Sequence, residues 1–260
     1  MKKSSRIAII GPVVWGGVWG HGPELARYLG RENSVTYFDP LVARGATAPS
    51  FQDTGAYPAA EGVTVVRRCS AFRLGVLYGL AMEWRNFLAV FSSGADHLIT
   101  YYPLGSVLAM LWCRVRGIRS LFVYADFPDI LGHRLARLVA RKLCLPLTAR
   151  LAGAGCVATS RLLCEDLKKF TSRCEHVPNG VGLESLGRVS TGTPSLEKSS
   201  SMSHESHPPG KRQLRVGFVG YFGHWVDLDL ILETARLCPQ HEFVLAGDGP
   251  AREGLEAPGP

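Results

Sequence analysis

Two carboxylates flank an aromatic ring in Tyr124-Ala125-Asp126-Phe127-Pro128-Asp129, just past an apolar run that reads as a strand, Ser120 to Tyr124. That set suits binding of sugar hydroxyls, and either acid would serve as a general base if its pKa were tuned. The competing use is helix capping, because Asp126 or Asp129 sits just before a helix expected from Ile130. Upstream, Gly11 to Gly22 (GPVVWGGVWGHG) follows another apolar run and precedes a helix. Glycines at 16 and 17 allow close backbone approach, and the helix start offers free N–H groups to a phosphate or sugar oxygen. A tight strand-to-helix turn explains the same glycines without a ligand. His21 in this loop is a hydrogen-bond donor or a base by type, although a lone histidine is more often structural. Further on, Gly217 to Asp229 (GFVGYFGHWVDLD) and Gly247-Asp248-Gly249-Pro250 are glycine-bearing strand ends suited to a diphosphate and its nucleoside. Neither contains Lys or Arg, which weakens the phosphate reading. Val177-Pro178-Asn179-Gly180-Val181 reads first as a turn.

The elements that must carry these residues alternate strand and helix. Strands are expected at Arg6–Ile10, Ser34–Phe38, Val63–Arg67, His97–Thr100, Ser120–Tyr124, Gly155–Thr159 and Cys174–Val177. Helices are expected at Pro23–Arg31, Ala71–Ser92, Leu104–Arg116, Leu131–Leu151 (kinked or broken near Pro146) and Arg161–Phe170. Val/Ile/Leu-rich strands alternating with helices imply a parallel sheet covered on both faces, with ligands beyond the carboxyl ends of the strands. Residues 188–212 are rich in Ser, Pro and Gly with few large apolar side chains, and read as a disordered linker. A second unit then begins with strand Leu214–Val219, helix Leu228–Leu237 and strand Glu242–Ala246.

Composition narrows the classes. The chain has 29 Lys and Arg against 22 Asp and Glu, a formal +7. Such an excess attracts anionic lipid, nucleic acid or phosphorylated substrates, and equally fits a basic cytosolic protein. Seven cysteines, an odd count without a CxxC, support neither a disulfide framework nor a zinc site. Lys2, Lys3 and Arg6 before an apolar run imitate a signal peptide, but Gly11, Pro12, Gly16 and Gly17 suit strand and loop better. No window is long and apolar enough to span a bilayer. In His133–Arg150, Arg134, Arg137, Arg141 and Lys142 recur among Leu135, Leu138, Val139 and Leu143. A solvated helix face is the preferred reading of that stretch; rest on anionic lipid is the alternative.

Taken in order, several pieces resemble the GT-B glycosyltransferases, and most of all their family 4 and related bacterial polysaccharide and teichuronic-acid transferases. These are the Gly16-Gly17 loop with its helix, Tyr124/Asp126/Asp129, Cys156-Val-Ala-Thr-Ser160, Val177-Pro-Asn-Gly-Val181, the Val219 to Asp227 loop and Leu245-Ala-Gly-Asp-Gly-Pro250. The resemblance implies an α/β fold of two Rossmann-like domains, the second incomplete: residues 1–187 on the acceptor side, a linker at 188–212, and a partial nucleotide-sugar domain at 213–260. It implies transfer of a sugar from a nucleoside-diphosphate sugar to a glycan, lipid or polysaccharide-precursor acceptor, in the cytoplasm or at the inner face of the plasma membrane, without a bound metal or cofactor and without nucleic acid. His21, Asp126 and Asp129 would be catalytic, and Gly16, Gly17 and Tyr124 would bind the acceptor. Gly220, Gly223, His224, Asp227, Gly247 and Gly249 would meet the donor across a crevice from the first domain.

The family's further βα units, with their glutamate pair, do not follow Gly-Asp-Gly-Pro here. His224, Trp225 and Asp227 stand where basic residues are common. A fragment, a premature stop and an inactive relative all fit those departures, and a non-catalytic protein binding an acceptor or partner subunit is the alternative function. A nucleotide-dependent oxidoreductase or epimerase lacks its GxGxxG, and Asp39 is the one weak candidate for its acidic residue.

Overall fold

In a computed structural model the chain divides into two compact units, Met1–Gly182 and Leu183–Pro260. The structure describes residues 4–16, 20–41, 60–68, 76–126, 134–180, 213–223, 226–249 and 251–252; the expected linker at 188–212 lies outside them.

In the first unit, β1 (Arg6–Ile10), β2 (Ser34–Phe38), β3 (Val63–Val66), β4 (His97–Thr100), β5 (Arg119–Tyr124), β6 (Gly155–Ala158) and β7 (Cys174–His176) form one sheet. Its order is β3-β2-β1-β4-β5-β6-β7, with every pairing parallel. The helices are α1 (His21–Gly30), α2 (Val76–Ser93), α3 (Val107–Arg116), α4 (Arg134–Val139), α5 (Leu145–Leu151) and α6 (Arg161–Lys168). Side chains alternate across each strand, so the sheet buries two cores. Ile7, Ile9, Tyr37 and Val123 pack with Ala26 of α1 on one face. Ala8, Leu98 and Phe122 pack with Val90, Met110, Leu145 and Leu163 of α2, α3, α5 and α6 on the other.

The element boundaries have local causes. Helix α1 starts at His21, two residues before the expected Pro23. Proline is tolerated there because the first-turn N–H groups have no intrahelical acceptor. Helix α3 starts at Val107 rather than Leu104, because Glu83 of α2 reaches its entry. One Glu83 oxygen accepts the Gly105 N–H at 2.7 Å and the other the Leu108 N–H at 3.1 Å. Gly117, at φ 69°, ends that helix in the left-handed region. Ser160 caps α6 by accepting the Leu163 N–H at 3.3 Å.

The long helix expected over 131–151 is interrupted as its proline requires. Between α4 and α5 a π-helical turn, Ala140–Cys144, inserts, and the Leu145 N–H donates to the Ala140 carbonyl. The wider turn accommodates Pro146, which lacks an N–H and whose ring would crowd the preceding turn.

The second unit's described residues form a single β-α-β motif: β8 (Arg215–Tyr221), α7 (Leu228–Leu237) and β9 (Glu242–Asp248). The two strands are parallel, in register from Arg215 opposite Glu242 to Tyr221 opposite Asp248.

Candidate functional site

The strand order of the first unit reverses between β1 and β4. From β1 the chain runs outward to β3, then returns to β4 on the other side of β1. Loops leaving adjacent strands in opposite directions open a crevice at their carboxyl ends, the usual ligand position in such sheets. Ile10 is level with Thr100, so Gly11 and Tyr101 leave the sheet side by side.

A pair of tyrosines organises that edge. Tyr101 is buried, and its hydroxyl lies 2.9 Å from Nδ1 of the half-buried His21 at the start of α1. The two rings meet edge to face at 5.6 Å. Burial lowers the His21 pKa and raises that of Tyr101, so both groups are neutral near pH 7. The two imidazole tautomers differ in use. With the proton on Nδ1, the ring donates to Tyr101 and leaves Nε2 basic; with it on Nε2, the ring accepts from Tyr101 and offers a donor.

Tyr102, next along, donates to the Pro12 carbonyl at 3.4 Å. Burial, assisted by the negative charge of Asp126, pushes its hydroxyl up to about 12. Asp126 is exposed overall, yet the protein around its carboxyl raises that acid above its ordinary value, in the direction a general base requires. The structure thus pairs the expected His21 with Tyr101 and sets the expected Asp126 within electrostatic reach of Tyr102, two tyrosines that sequence reasoning missed. The available signal was position: Tyr-Tyr-Pro immediately after a strand that neighbours the first.

Packing dictates much of the glycine loop. A Cβ on Gly11 would lie 2.1 Å from the Tyr37 ring, and one on Gly22 would lie 2.5 Å from Pro12. The Tyr37 hydroxyl donates to the Val13 carbonyl at 2.7 Å, and Trp15 stacks edge-on against the same ring. Asp39, almost fully buried at the end of β2, accepts the Trp15 N–H at 2.7 Å and pairs with Arg67 at 3.2 Å. Burial still raises the Asp39 carboxyl against those partners. Arg68 donates to the Asp39 carbonyl and, at 2.7 Å, to Asn86. Burial brings its guanidinium down to about 10. Asp39 is therefore the anchor of the glycine loop, which removes the one residue that supported an oxidoreductase.

Other expected positions are placed differently. Tyr124 is wholly buried and donates to Asp166 at 3.3 Å, so its ring is core and offers no face to an acceptor. Gly16 adopts φ 86° in the turn after Trp15. Gly17, Asp129 and His224 lie outside the described residues. In the second unit, Asp227 caps α7, accepting the Leu230 N–H at 2.9 Å. A Cβ on Gly247 would sit 1.8 Å from the Gly220 carbonyl oxygen, and one on Gly249 would sit 2.6 Å from the Phe222 oxygen. Gly223 is buried and its N–H donates to Tyr221 at 2.9 Å. Packing requires glycine at 247 and 249 whether or not a ligand approaches. Among the described residues no cluster of three or more His, Cys, Asp or Glu side chains could hold a metal ion.

No protein-family profile matches the chain, and no curated protein sequence does so significantly. Solved structures do. The catalytic domain of starch synthase IV from Arabidopsis thaliana, bound to ADP and acarbose, is similar at a TM-score of 0.57 and 13% identity, covering 98% of this chain and 72% of that one. HepE from Anabaena, in complex with UDP and glucose, is similar at 0.54 and 14%, covering 96% and 63%. Sucrose-phosphate synthase from Thermosynechococcus elongatus is similar at 0.53 and 14%, covering 96% and 67%. The chain thus spans about two thirds of the length of these structures. At such identities the likeness speaks to architecture, and the chain has the α/β, Rossmann-like fold of the GT-B glycosyltransferases.

Proposed function

We propose that the chain is a glycosyltransferase, or the part of one that carries its acceptor-side chemistry. It would move a sugar from a nucleoside-diphosphate donor to a glycan, lipid or polysaccharide-precursor acceptor. The observation that carries this reading is the neutral His21–Tyr101 pair at the β1/β4 crevice, in a fold shared with structures solved with UDP or ADP. Sugar transfer needs a base for the acceptor hydroxyl and stabilisation of the leaving diphosphate. His21, held by Tyr101, takes the first role, and Asp126 stands beside Tyr102 as a second candidate base. Asp129 belongs to the same expected set. Gly16 and Gly17 would lie against the acceptor. The strand ends bearing Gly220, Gly223, Gly247 and Gly249, with His224, would face the donor. Asp227 contributes by fixing the start of α7.

The test is release of UDP or ADP from UDP- and ADP-hexoses in the presence of glycan and lipid-linked acceptors. Transfer by the full chain, reduced about a thousandfold in His21→Ala, supports the reading. Transfer unaffected by that substitution removes His21 from the chemistry, and the absence of transfer and of nucleotide binding removes the function.

A second reading, a non-catalytic protein that binds an acceptor or a partner subunit, is favoured by one observation. Val219 on β8 is 84% exposed and Leu237 at the end of α7 is 76% exposed. A partner covering the two-stranded sheet would bury such side chains and its open edges. Light scattering separates the readings, since a monomer with no bound partner argues against the second.

A further inference from the structure

Helices α2 and α3 and the segment from α4 through α5 hold an imbalance found nowhere else in the chain. They contain eight Lys and Arg, five of them between Arg134 and Leu151, against one carboxylate, Glu83. The whole chain has 29 basic and 22 acidic residues, so 21 of each sign remain elsewhere. The entire formal excess of +7 therefore lies on this helical layer. Glu83 does not offset it at the surface, because both its oxygens are engaged by the backbone at the entry to α3.

The same layer carries the exposed apolar surface. Thirteen of the sixteen exposed large apolar side chains described in the first unit are on these helices. On α2, Leu77, Leu80, Trp84, Leu88 and Phe91 recur at three- and four-residue spacing and form one outward stripe. Leu111 and Val115 continue it on α3; Leu135, Leu138 and Leu143 do so on the next segment. Helix α2 packs on α3 and α3 on α5, over the same face of the sheet, so the outward faces of α2 and α3 lie side by side and the chain of α4 and the π turn runs into α5 beside them. Where α2 meets α3, Phe87 and Phe91 contact Trp112 at 5.9 and 5.1 Å, and the Arg116 guanidinium sits 5.4 Å over the Trp112 ring. Aromatic rings with cationic side chains beside them suit the boundary between hydrocarbon and headgroups.

We infer that this helical layer docks on the surface of a bilayer rich in anionic lipid. Its aliphatic and aromatic stripe lies at the boundary between headgroups and acyl chains, and its arginines and lysine meet the headgroups. No helix among the described residues is long and apolar enough to cross a membrane, so the contact is interfacial. Charge decides against a second copy of the chain, since an isologous contact would set +7 against +7. The apolar stripe decides against nucleic acid, whose backbone offers phosphates to the cations and nothing to the leucines. The inference goes beyond the transferase reading and does not require it.

Co-flotation of the full chain with vesicles tests it without any transfer assay. Binding is expected to vesicles of mixed phosphatidylcholine and phosphatidylglycerol, with little to phosphatidylcholine alone. The triple variant Arg114→Gln, Arg134→Gln, Lys142→Gln weakens binding about a hundredfold, at about fivefold per cation. Leu80→Ser with Trp84→Ser alters exposed positions only, and weakens binding while the circular dichroism spectrum is unchanged. No flotation with the anionic vesicles, or equal flotation of the triple variant, overturns the inference. So does a dimer in light scattering that Leu80→Ser with Trp84→Ser dissolves, which assigns the face to a second copy. Binding to a DNA duplex as tight as to the vesicles, and insensitive to those serines, assigns it to nucleic acid.

Discussion

The two units place glycines at the carboxyl ends of parallel strands by different means. In the first, side chains hold the loop: the Tyr37 ring fills the space beside Gly11, and a buried carboxylate, Asp39, takes the Trp15 N–H while Arg67 and Arg68 surround it. In the second, backbone holds backbone: the Gly220 carbonyl blocks Gly247, Phe222 blocks Gly249, and Asp227 serves its own helix. Glycine at a strand end therefore reports crowding in both places. What separates the units is the titratable chemistry around the crowding. The first adds His21, Tyr101, Tyr102 and Asp126 to the same edge; at the glycine loops of the second, Asp227 caps α7 and Asp248 pairs with Arg252 at 3.8 Å. The proposal that the first unit serves the acceptor hydroxyl rests on the His21–Tyr101 pair at that edge.

Substitutions sharpen the contrast. The largest effect is expected for Gly247→Ala. Its Cβ meets a carbonyl oxygen that cannot swing aside, which costs the second unit about 3 kcal/mol and exposes it to limited proteolysis while the first unit resists. Asp39→Ala should do the reverse. It removes the carboxylate that accepts the Trp15 N–H and pairs with Arg67, and lowers the first unit's stability by about 2 kcal/mol in urea titration. Asp227→Ala removes only a helix cap, for about 1 kcal/mol in the second unit. The smallest effect concerns pH. The His21 pKa is lowered in the folded chain from its ordinary 6.5, so the unfolded chain takes up that proton first. Stability from the neutral imidazole is present above pH 6.5 and falls as the pH drops through the folded value. His21→Gln should flatten that part of the stability profile, and an unchanged slope would place the cause in other groups.

Much of the fold was legible in the residues. Runs such as Arg6–Ile10 and Ser34–Phe38 are short, β-branched and bounded by turn formers, so their limits emerge directly. The expected break near Pro146 is present as the turn Ala140–Cys144, although its π form is set by how the chain absorbs the missing N–H. The site was legible in part. Asp126 stands two residues past the end of β5 and His21 opens the helix after the β1 loop, where alternation put them. Tyr101 and Tyr102 went unnoticed because their significance depends on β4 lying beside β1, a crossover that local periodicity does not encode. Tyr124 misled because the last residue of a strand faces either the crevice or the core. Here it faces the core and Asp166. The basic helix over 133–150 looked like a solvated face when taken alone; its setting beside α2 and α3 makes it part of a larger cationic and apolar layer.

Calorimetric titration of the full chain with UDP and with ADP addresses the central claim most directly. The account predicts saturable heat with at least one of them, lost in Gly247→Ala and retained in His21→Ala, because the proposed function puts the nucleotide on the second unit and the histidine at the acceptor. Absence of heat with both nucleotides, or heat abolished by His21→Ala and untouched by Gly247→Ala, would contradict it.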